Sequence, residues 1–140
     1  MSTESRHLSV HIGRPVGDVY TFASDPANLP LWAPGLGSSV IQENGIWFVE
    51  TPEGRVQITF APNNEYGVLD HHVVTPSGET VYVPLRAIAD GDGCEVIFTL
   101  RRSPGLNDAE FERDAALVTG DLARLKTVME STTAPRTQRG

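Results

Sequence analysis

Residues 107–129 read NDAEFERDAALVTGDLARLKTVM, and this stretch decides the fold. Asn107 is a favourable helix cap, and Glu110 follows three residues later, which is the spacing of a capping box. Apolar side chains then recur at helical intervals and form a stripe of Phe111, Ala115, Val118, Leu122, Leu125 and Met129. A helix with one apolar face needs another element to cover it, so the stripe predicts a partner surface elsewhere in the chain.

The partner predicted for this helix is a β-sheet. Leu8, Val10 and Ile12 alternate with polar residues, which is the pattern of a half-buried strand. Two short helices follow, one beginning at Pro15 and one over residues 28–32. Further strands are predicted at 38–43, 46–51, 55–61, 67–75, 79–89 and 94–102. The sequence therefore predicts an α+β fold, with a seven-stranded antiparallel curved sheet, two short helices and a long C-terminal helix.

Length and charge limit what the chain can be. Its 140 residues fit a single domain, which we place at 6–131, with a flexible N-terminus at 1–5 and a disordered tail at 132–140. The formal net charge of −7 opposes binding to phosphate backbones, so nucleic acid is not an expected partner. No stretch approaches the ~20 apolar residues of a membrane helix, and the first residues lack the apolar segment of a signal peptide. We expect no membrane insertion and a cytoplasmic location.

The sequence predicts no metal site and no cofactor. Cys94 is the single cysteine, which excludes an internal disulfide and a site with several thiolate ligands. His71 and His72 point to opposite faces of one strand. His7 and His11 share a face but stand ~13 Å apart at ~3.3 Å per residue, which is too far to share a metal ion.

Two similar turns determine the predicted strand pairing. Both contain Pro-x-Gly, at 52–54 and 76–78, and both fit a three-residue hairpin loop. The second loop places His71 opposite Val83 on an otherwise apolar face. The following hairpin then aligns Leu85 with Val96.

The first loop, interpreted in the same way, pairs Phe48 with Ile58 and Glu50 with Val56. The inner face of the sheet then carries two polar side chains, Glu50 and His71, among apolar neighbours. A carboxylate or imidazole buried without a partner costs several kcal/mol or shifts its pKa. Each of these two side chains therefore predicts a water molecule, a protein partner or a ligand beside it.

The order of strand, two short helices, six strands and long helix is that of the helix-grip fold. The chain resembles the START-like (SRPBCC) superfamily, in particular small bacterial polyketide cyclase/dehydrase-like members. The residues that carry the resemblance are IGRPVGDVY at 12–20, Asp25 with LWAPG at 31–35, and GCEVIFTL at 93–100 leading into the helix at 111–130. The resemblance implies a cavity between sheet and terminal helix that holds an apolar or aromatic small molecule. It transfers no catalytic motif, because that superfamily includes carriers, cyclases, hydrolases and regulators.

The leading hypothesis is therefore binding or carriage of a hydrophobic small molecule, such as a polyketide, a lipid or an aromatic compound. We expect His71 and Glu50 to orient this ligand. The apolar walls expected around it are Trp32, Phe48, Ile58, Val83, Phe98 and Val118. The alternative is a polyketide cyclase or dehydratase that uses His71 as acid and base, since an imidazole can exchange protons near neutral pH. A third interpretation of His71, as a structural side chain, also stays open.

Other polar and aromatic residues are assigned simpler roles. Asp70, His72, Tyr82 and Arg86 share the outer face, where we expect cross-strand polar contacts. Asp114 and Asp121 flank the apolar stripe of the last helix, and a solvated position or a hydrogen bond to the loops is favoured over ligand contact for both. Trp47 is predicted on the outer face, where an exposed ring favours a partner surface, either in a homodimer or in a regulatory module.

Overall fold

The computed structural model describes residues 4–33 and 39–131, and the statements below concern those residues. The predicted tail at 132–140 and most of the predicted flexible N-terminus lie outside them. Within that N-terminus, Ser5 already begins the first strand, and the Glu4 carboxylate accepts a hydrogen bond from Arg102 Nη1 at 3.0 Å.

The described residues form an α+β domain with the predicted order of elements. The strands are β1 (Ser5–Ile12), β2 (Ser39–Glu43), β3 (Ile46–Thr51), β4 (Gly54–Phe60), β5 (His71–Val74), β6 (Thr80–Val83), β7 (Leu85–Asp90) and β8 (Gly93–Arg101). The helices are α1 (Val16–Ala23), α2 (Leu29–Trp32) and α3 (Asp108–Ser131), with a 3₁₀ turn at Pro26–Asn28. Helix α3 packs against β1, β8 and α2, and a hydrophobic core lies between them.

The prediction of seven strands in one sheet is wrong. In the described part of the chain, eight strands form two antiparallel sheets, ordered β1-β8-β7 and β2-β3-β4-β5-β6. The predicted strand 79–89 divides at Pro84, because proline has no backbone N–H to donate to a neighbouring strand. Two hydrogen bonds connect the sheets across this division, from Leu69 N to Leu85 O at 2.8 Å and from Ala87 N to Gly67 O at 2.9 Å.

The second Pro-x-Gly turn produces the predicted pairing of β5 with β6. His71 lies opposite Val83, and Thr75 N donates to Glu79 O at 2.8 Å. The β7–β8 hairpin differs by two residues from the prediction, since Leu85 lies opposite Phe98 instead of Val96. Side chains alternate with a period of two, so an even displacement keeps the same residues on the inner face.

The first Pro-x-Gly turn does not produce the predicted pairing. Thr51 lies opposite Gly54, so the β3–β4 connection has two residues and the register is displaced by one. Phe48 now pairs with Gln57 and Glu50 with Arg55, and an odd displacement turns both to the outer face. Residues 46–49 are all apolar, so the alternation that could have settled the register is missing.

The observed register places Glu50 beside an arginine at the surface of the domain. Arg55 donates from Nε to Glu50 at 3.0 Å and from Nη1 to Glu43 at 3.2 Å, and its guanidinium lies 5.1 Å from the centre of the Phe48 ring. The same displacement turns Trp47 inward, where it packs against the core. The prediction of an exposed Trp47 is therefore wrong, and the argument for a homodimer or regulatory surface at that residue no longer holds.

The capping box of the closing helix is confirmed. Asn107 Oδ1 accepts a hydrogen bond from Glu110 N at 2.8 Å, and Glu110 Oε1 accepts one from Asn107 N at 3.0 Å. One turn further, the buried Phe111 ring lies under two guanidiniums, those of Arg6 at 4.9 Å and Arg102 at 5.4 Å. These contacts hold the start of α3 against the ends of β1 and β8.

Asp70 makes the cross-strand polar contacts predicted for the outer face, but it is buried instead of solvated. Its carboxylate accepts hydrogen bonds from Arg86 Nε and Nη2, both at 2.8 Å, from Leu85 N at 2.9 Å and from the Tyr82 hydroxyl. These bonds, those from Arg86 above all, hold the pKa of Asp70 well below its usual range. Asp70 therefore joins β6 to β7 at the point where Pro84 interrupts the strand.

We predict that Asp70→Asn lowers the free energy of unfolding by roughly 1–3 kcal/mol at pH 7, because several hydrogen bonds to a buried charge are weakened. The folded state keeps Asp70 ionised where the unfolded chain takes up a proton, near pH 4. The stabilisation that ionised Asp70 gives the folded state is complete above that pH and is lost as the pH falls through the lowered pKa. Urea unfolding at pH 7 and pH 3 measures it, and the difference between wild type and variant should shrink at the lower pH.

Glu79→Gln is the matched control, since it removes the charge of an exposed carboxylate next to the same strand pair. It should change the unfolding free energy by no more than about 0.5 kcal/mol. Equal stability of Asp70→Asn and wild type at pH 7 would contradict the role given to Asp70.

We predict that Asn107→Ala lowers the free energy of unfolding by about 1 kcal/mol, because the Glu110 N–H loses its acceptor at the first turn of α3. Chemical denaturation measures the change. Asn63→Ala, at an exposed asparagine outside any helix, should have little effect, and an equal loss in the two variants would argue against the cap.

Candidate functional site

A cavity of about 210 Å³ lies between the sheet and helix α3. Strands β4, β5, β6 and β8 supply its sheet side, through Phe60, His71, Val73, Val83, Phe98 and Leu100. Helix α2 closes one end with Leu29 and Trp32. Most of the wall is therefore apolar or aromatic, and the cavity is in the position that the sequence resemblance implied.

Five of the eight residues expected at the site line this cavity. They are Trp32, His71, Val83, Phe98 and Val118. Ile58 is buried in the adjoining core and is not part of the wall. Phe48 and Glu50 lie on the outer face because of the displaced β3–β4 register, and Glu50 pairs there with Arg55. Their predicted placement is wrong, and we leave both out of the site.

His71 is the polar side chain that the sheet contributes to the cavity. The residue is 7 % exposed, and its ring centre lies 4.9 Å from that of Phe60. Nδ1 lies 3.0 Å from the Leu69 carbonyl oxygen, and because a carbonyl only accepts, Nδ1 carries the proton and donates. Burial lowers the pKa of His71, so the ring is neutral at neutral pH. Nε2 is then a hydrogen-bond acceptor, and no partner for it occurs in residues 4–33 and 39–131.

Helix α3 contributes two carboxylates to the same cavity, at Asp114 and Asp121. The seven-residue spacing already placed them on one flank of the apolar stripe, but a solvated position or a hydrogen bond to the loops was the favoured interpretation. In the structure both line the wall, together with Leu117, Val118 and Leu122. Asp114 has no hydrogen-bond or ion-pair partner within the described ranges. These two aspartates are the functional candidates that sequence reasoning undervalued.

Asp121 belongs to a short network at the α2 end of the cavity. Arg124 donates from Nη2 to Asp121 Oδ1 at 2.7 Å and from Nε to the Trp32 carbonyl at 3.4 Å. Burial raises the pKa of Asp121, and the Arg124 guanidinium opposes that shift. Arg124 itself is not part of the cavity wall. The network thus holds α2 against α3 and leaves the cationic group outside the cavity.

Trp32 walls the cavity with its indole ring. The residue is 4 % exposed, and its Nε1 is covered by protein and makes no hydrogen bond in the described structure. Because this N–H is covered, it is not available to a molecule in the cavity, and Trp32 contributes an apolar surface to the wall.

A second, wider groove of about 810 Å³ lies where the β1–α1 connection meets the β7–β8 hairpin. Its wall is largely glycine and exposed backbone. Arg14, its one basic side chain among the described residues, donates to Asp18 at 2.9 Å and to the Met129 carbonyl at 2.6 Å. We therefore place the candidate site in the smaller, apolar cavity, where polar groups converge.

Among the described residues, no group of three or more His, Cys, Asp and Glu side chains is arranged to hold a metal ion. No described helix combines the length and the apolar character needed to cross a bilayer.

Solved structures share the architecture of this chain. A START superfamily protein from Mycobacterium smegmatis matches with a TM-score of 0.65 and 10 % identity, over 94 % of this chain and 100 % of that one. A truncated norcoclaurine synthase from Thalictrum flavum matches with a TM-score of 0.61 and 17 % identity, over 96 % and 95 % of the two chains. The di-domain ARO/CYC protein BexL matches with a TM-score of 0.67 and 18 % identity, over 94 % of this chain and 48 % of BexL.

No protein-family model matches the chain, and no curated protein sequence matches it. At identities below 20 %, the matched structures establish the fold alone. The curved antiparallel sheet, the short helices and the long C-terminal helix are those of these proteins, so the chain shares their helix-grip fold.

Proposed function

We propose that this protein binds a small, largely aromatic molecule in the cavity between the sheet and α3. The observation that carries the proposal is a space of about 210 Å³ with apolar walls and an unpartnered imidazole nitrogen. Protein interiors are packed as tightly as organic crystals, with few voids larger than a water molecule. This space far exceeds the ~10–15 Å³ that a single water needs, so it is more than a packing defect.

The size of the cavity favours one of the ligand classes expected from the sequence. It is somewhat larger than the ~150 Å³ engineered cavity that accommodates benzene, and smaller than the ~300 Å³ lower end of pockets for drug-sized ligands. A molecule of one or two rings therefore fits. A two-chain lipid or a polycyclic polyketide is larger than this space, so an aromatic compound is the better candidate.

Catalysis is the second candidate function, and His71 favours it. A neutral imidazole whose Nε2 faces a bound molecule can accept a proton from it, which is the role of a general base. BexL, a structural neighbour named as an ARO/CYC protein, has the same fold, although the chain spans about half of it. Under this alternative, His71 would perform proton transfer in a cyclisation or dehydration.

We predict that Val83→Phe abolishes ligand binding without unfolding the protein. The added ring projects from β6 into the cavity and takes up a large part of the space that the ligand needs. Mass spectrometry of protein purified under native conditions measures co-purified small molecules, and calorimetric titration with 2-naphthol measures binding directly. Wild type should bind, and the variant should show at least about a tenfold loss of affinity.

Val74→Phe is the matched control, because Val74 lies one strand away and points to the opposite face of the sheet. It should leave the affinity for 2-naphthol unchanged. If wild type and Val83→Phe bind the probe equally, the cavity is not the binding site.

We predict that His71→Ala separates the two candidate functions. In a binding protein the variant loses affinity for hydroxyl-bearing ligands, since Nε2 no longer accepts their hydrogen bond. In an enzyme the variant also loses turnover, and the inflection that His71 gives to the pH–rate profile disappears. Turnover of a cyclisation substrate that persists unchanged in His71→Ala would exclude the catalytic role.

A further inference from the structure

We propose that the cavity selects ligands that donate hydrogen bonds and carry no negative charge, namely aromatic molecules with a hydroxyl or a protonated amine. The inference rests on the binding function proposed above and specifies the chemistry of the ligand. It excludes carboxylates, phosphates and sulfates, and with them fatty acids and anionic lipid headgroups.

The titratable side chains among the described residues that line the cavity offer hydrogen-bond acceptors. His71 contributes Nε2, because its Nδ1 proton is already donated to the Leu69 carbonyl. Asp114 and Asp121 contribute carboxylate oxygens, which accept and do not donate when ionised. The Trp32 indole N–H is the one donor beside the cavity, and it is covered by protein. A ligand that satisfies these acceptors must supply donors.

The electrostatic environment leads to the same conclusion. No lysine or arginine is among the described residues that line the cavity. The guanidinium next to it, that of Arg124, is already bonded to Asp121 Oδ1 and to the Trp32 carbonyl. An anionic ligand would therefore meet two aspartates and lose its hydration without gaining a cationic partner.

A second side chain, that of His71, supports a ligand site beside these two aspartates. The side chain is more than nine-tenths buried, and its Nε2 is unpartnered on the sheet side of the cavity that Asp114 and Asp121 line from α3. Nε2 is not sealed within the protein, so a ligand hydroxyl or ammonium group in the cavity can donate a hydrogen bond to it. The acceptors thus lie on opposite walls, on β5 and on α3.

The spacing of the acceptors limits the ligand further. Asp114 and Asp121 are seven residues apart on one helix, which corresponds to about 10.5 Å at 1.5 Å of rise per residue. A bicyclic molecule with a single donor can reach one of them from within the cavity. Asp114 is the better candidate for a cationic group, because Asp121 already shares its charge with Arg124.

Four naphthalene probes of similar size test the proposal on the full chain at pH 7.5. 2-Naphthol supplies a neutral donor and 2-(aminomethyl)naphthalene a cationic one. 2-Methoxynaphthalene keeps the ring and removes the donor, and 2-naphthoate replaces the donor with an anion. Calorimetric titration should give affinities for the first two that are at least about tenfold higher than for the last two.

Variants assign the preference to named residues. Asp114→Asn should lower the affinity for the amine by about tenfold, because the charge is lost. The affinity for 2-naphthol should stay within about twofold of wild type, because a polar side chain stays. Asp114→Lys should reverse the order of the two affinities, so that 2-naphthoate binds more tightly than the amine. Glu95→Gln, which removes one exposed charge on the outer face of β8, is the control and should leave all four affinities unchanged.

The outcomes distinguish this inference from the function on which it rests. If 2-naphthoate binds as tightly as the amine and as 2-naphthol, the cavity binds aromatic molecules but the proposed selectivity is wrong. If the preference persists in Asp114→Asn and Asp114→Lys, the aspartate is not its source and the assignment is wrong. If none of the four probes binds at about 1 mM, the binding function itself is overturned.

Discussion

The missing backbone donor at Pro84 is the constraint on which the rest of the structure depends. A continuous strand over 79–89 would belong to a single sheet. Pro84 divides it, and the two halves pair in different sheets. Asp70 stabilises the division through Arg86, Leu85 N and Tyr82. One sheet then packs closely against α3 through β1 and β8, and β8 lines a cavity beside the same helix together with β4, β5 and β6 of the other sheet.

This division explains why one helix can both complete a core and cover a binding site. On its close side, the stripe residues Phe111, Leu125 and Met129 are buried and supply packing energy. On its other flank, Asp114, Val118 and Asp121 face the cavity. The polar groups of the site thus sit on elements that packing already holds in place. That arrangement suits recognition of a ligand, because little ordering is required when the ligand binds.

The sequence predicted the features that local chemistry determines. The cap at Asn107, the Pro76–Gly78 turn and the pairing of His71 with Val83 follow from short-range preferences, and each is confirmed. The near-identical turn at Pro52–Gly54 misled the same reasoning, because the apolar run at 46–49 fits either register. The observed register buries Val49 and leaves Glu50 paired with Arg55 at the surface. Position on a helical wheel likewise placed Asp121 beside the apolar stripe. It could not show that a cavity lies there, since that depends on how strands distant in the sequence pack around the helix.

The central claim is that His71 presents an unprotonated Nε2 to the cavity and that a ligand donor occupies it. Long-range ¹H–¹⁵N NMR spectra of the histidine side chains test this directly, because the two nitrogens of a neutral imidazole have distinct shifts. At pH 7 the account predicts a neutral ring with its proton on Nδ1, and a change in the Nε2 shift when 2-naphthol is added. A charged ring, a proton on Nε2, or a spectrum that is unchanged at saturating 2-naphthol would contradict it.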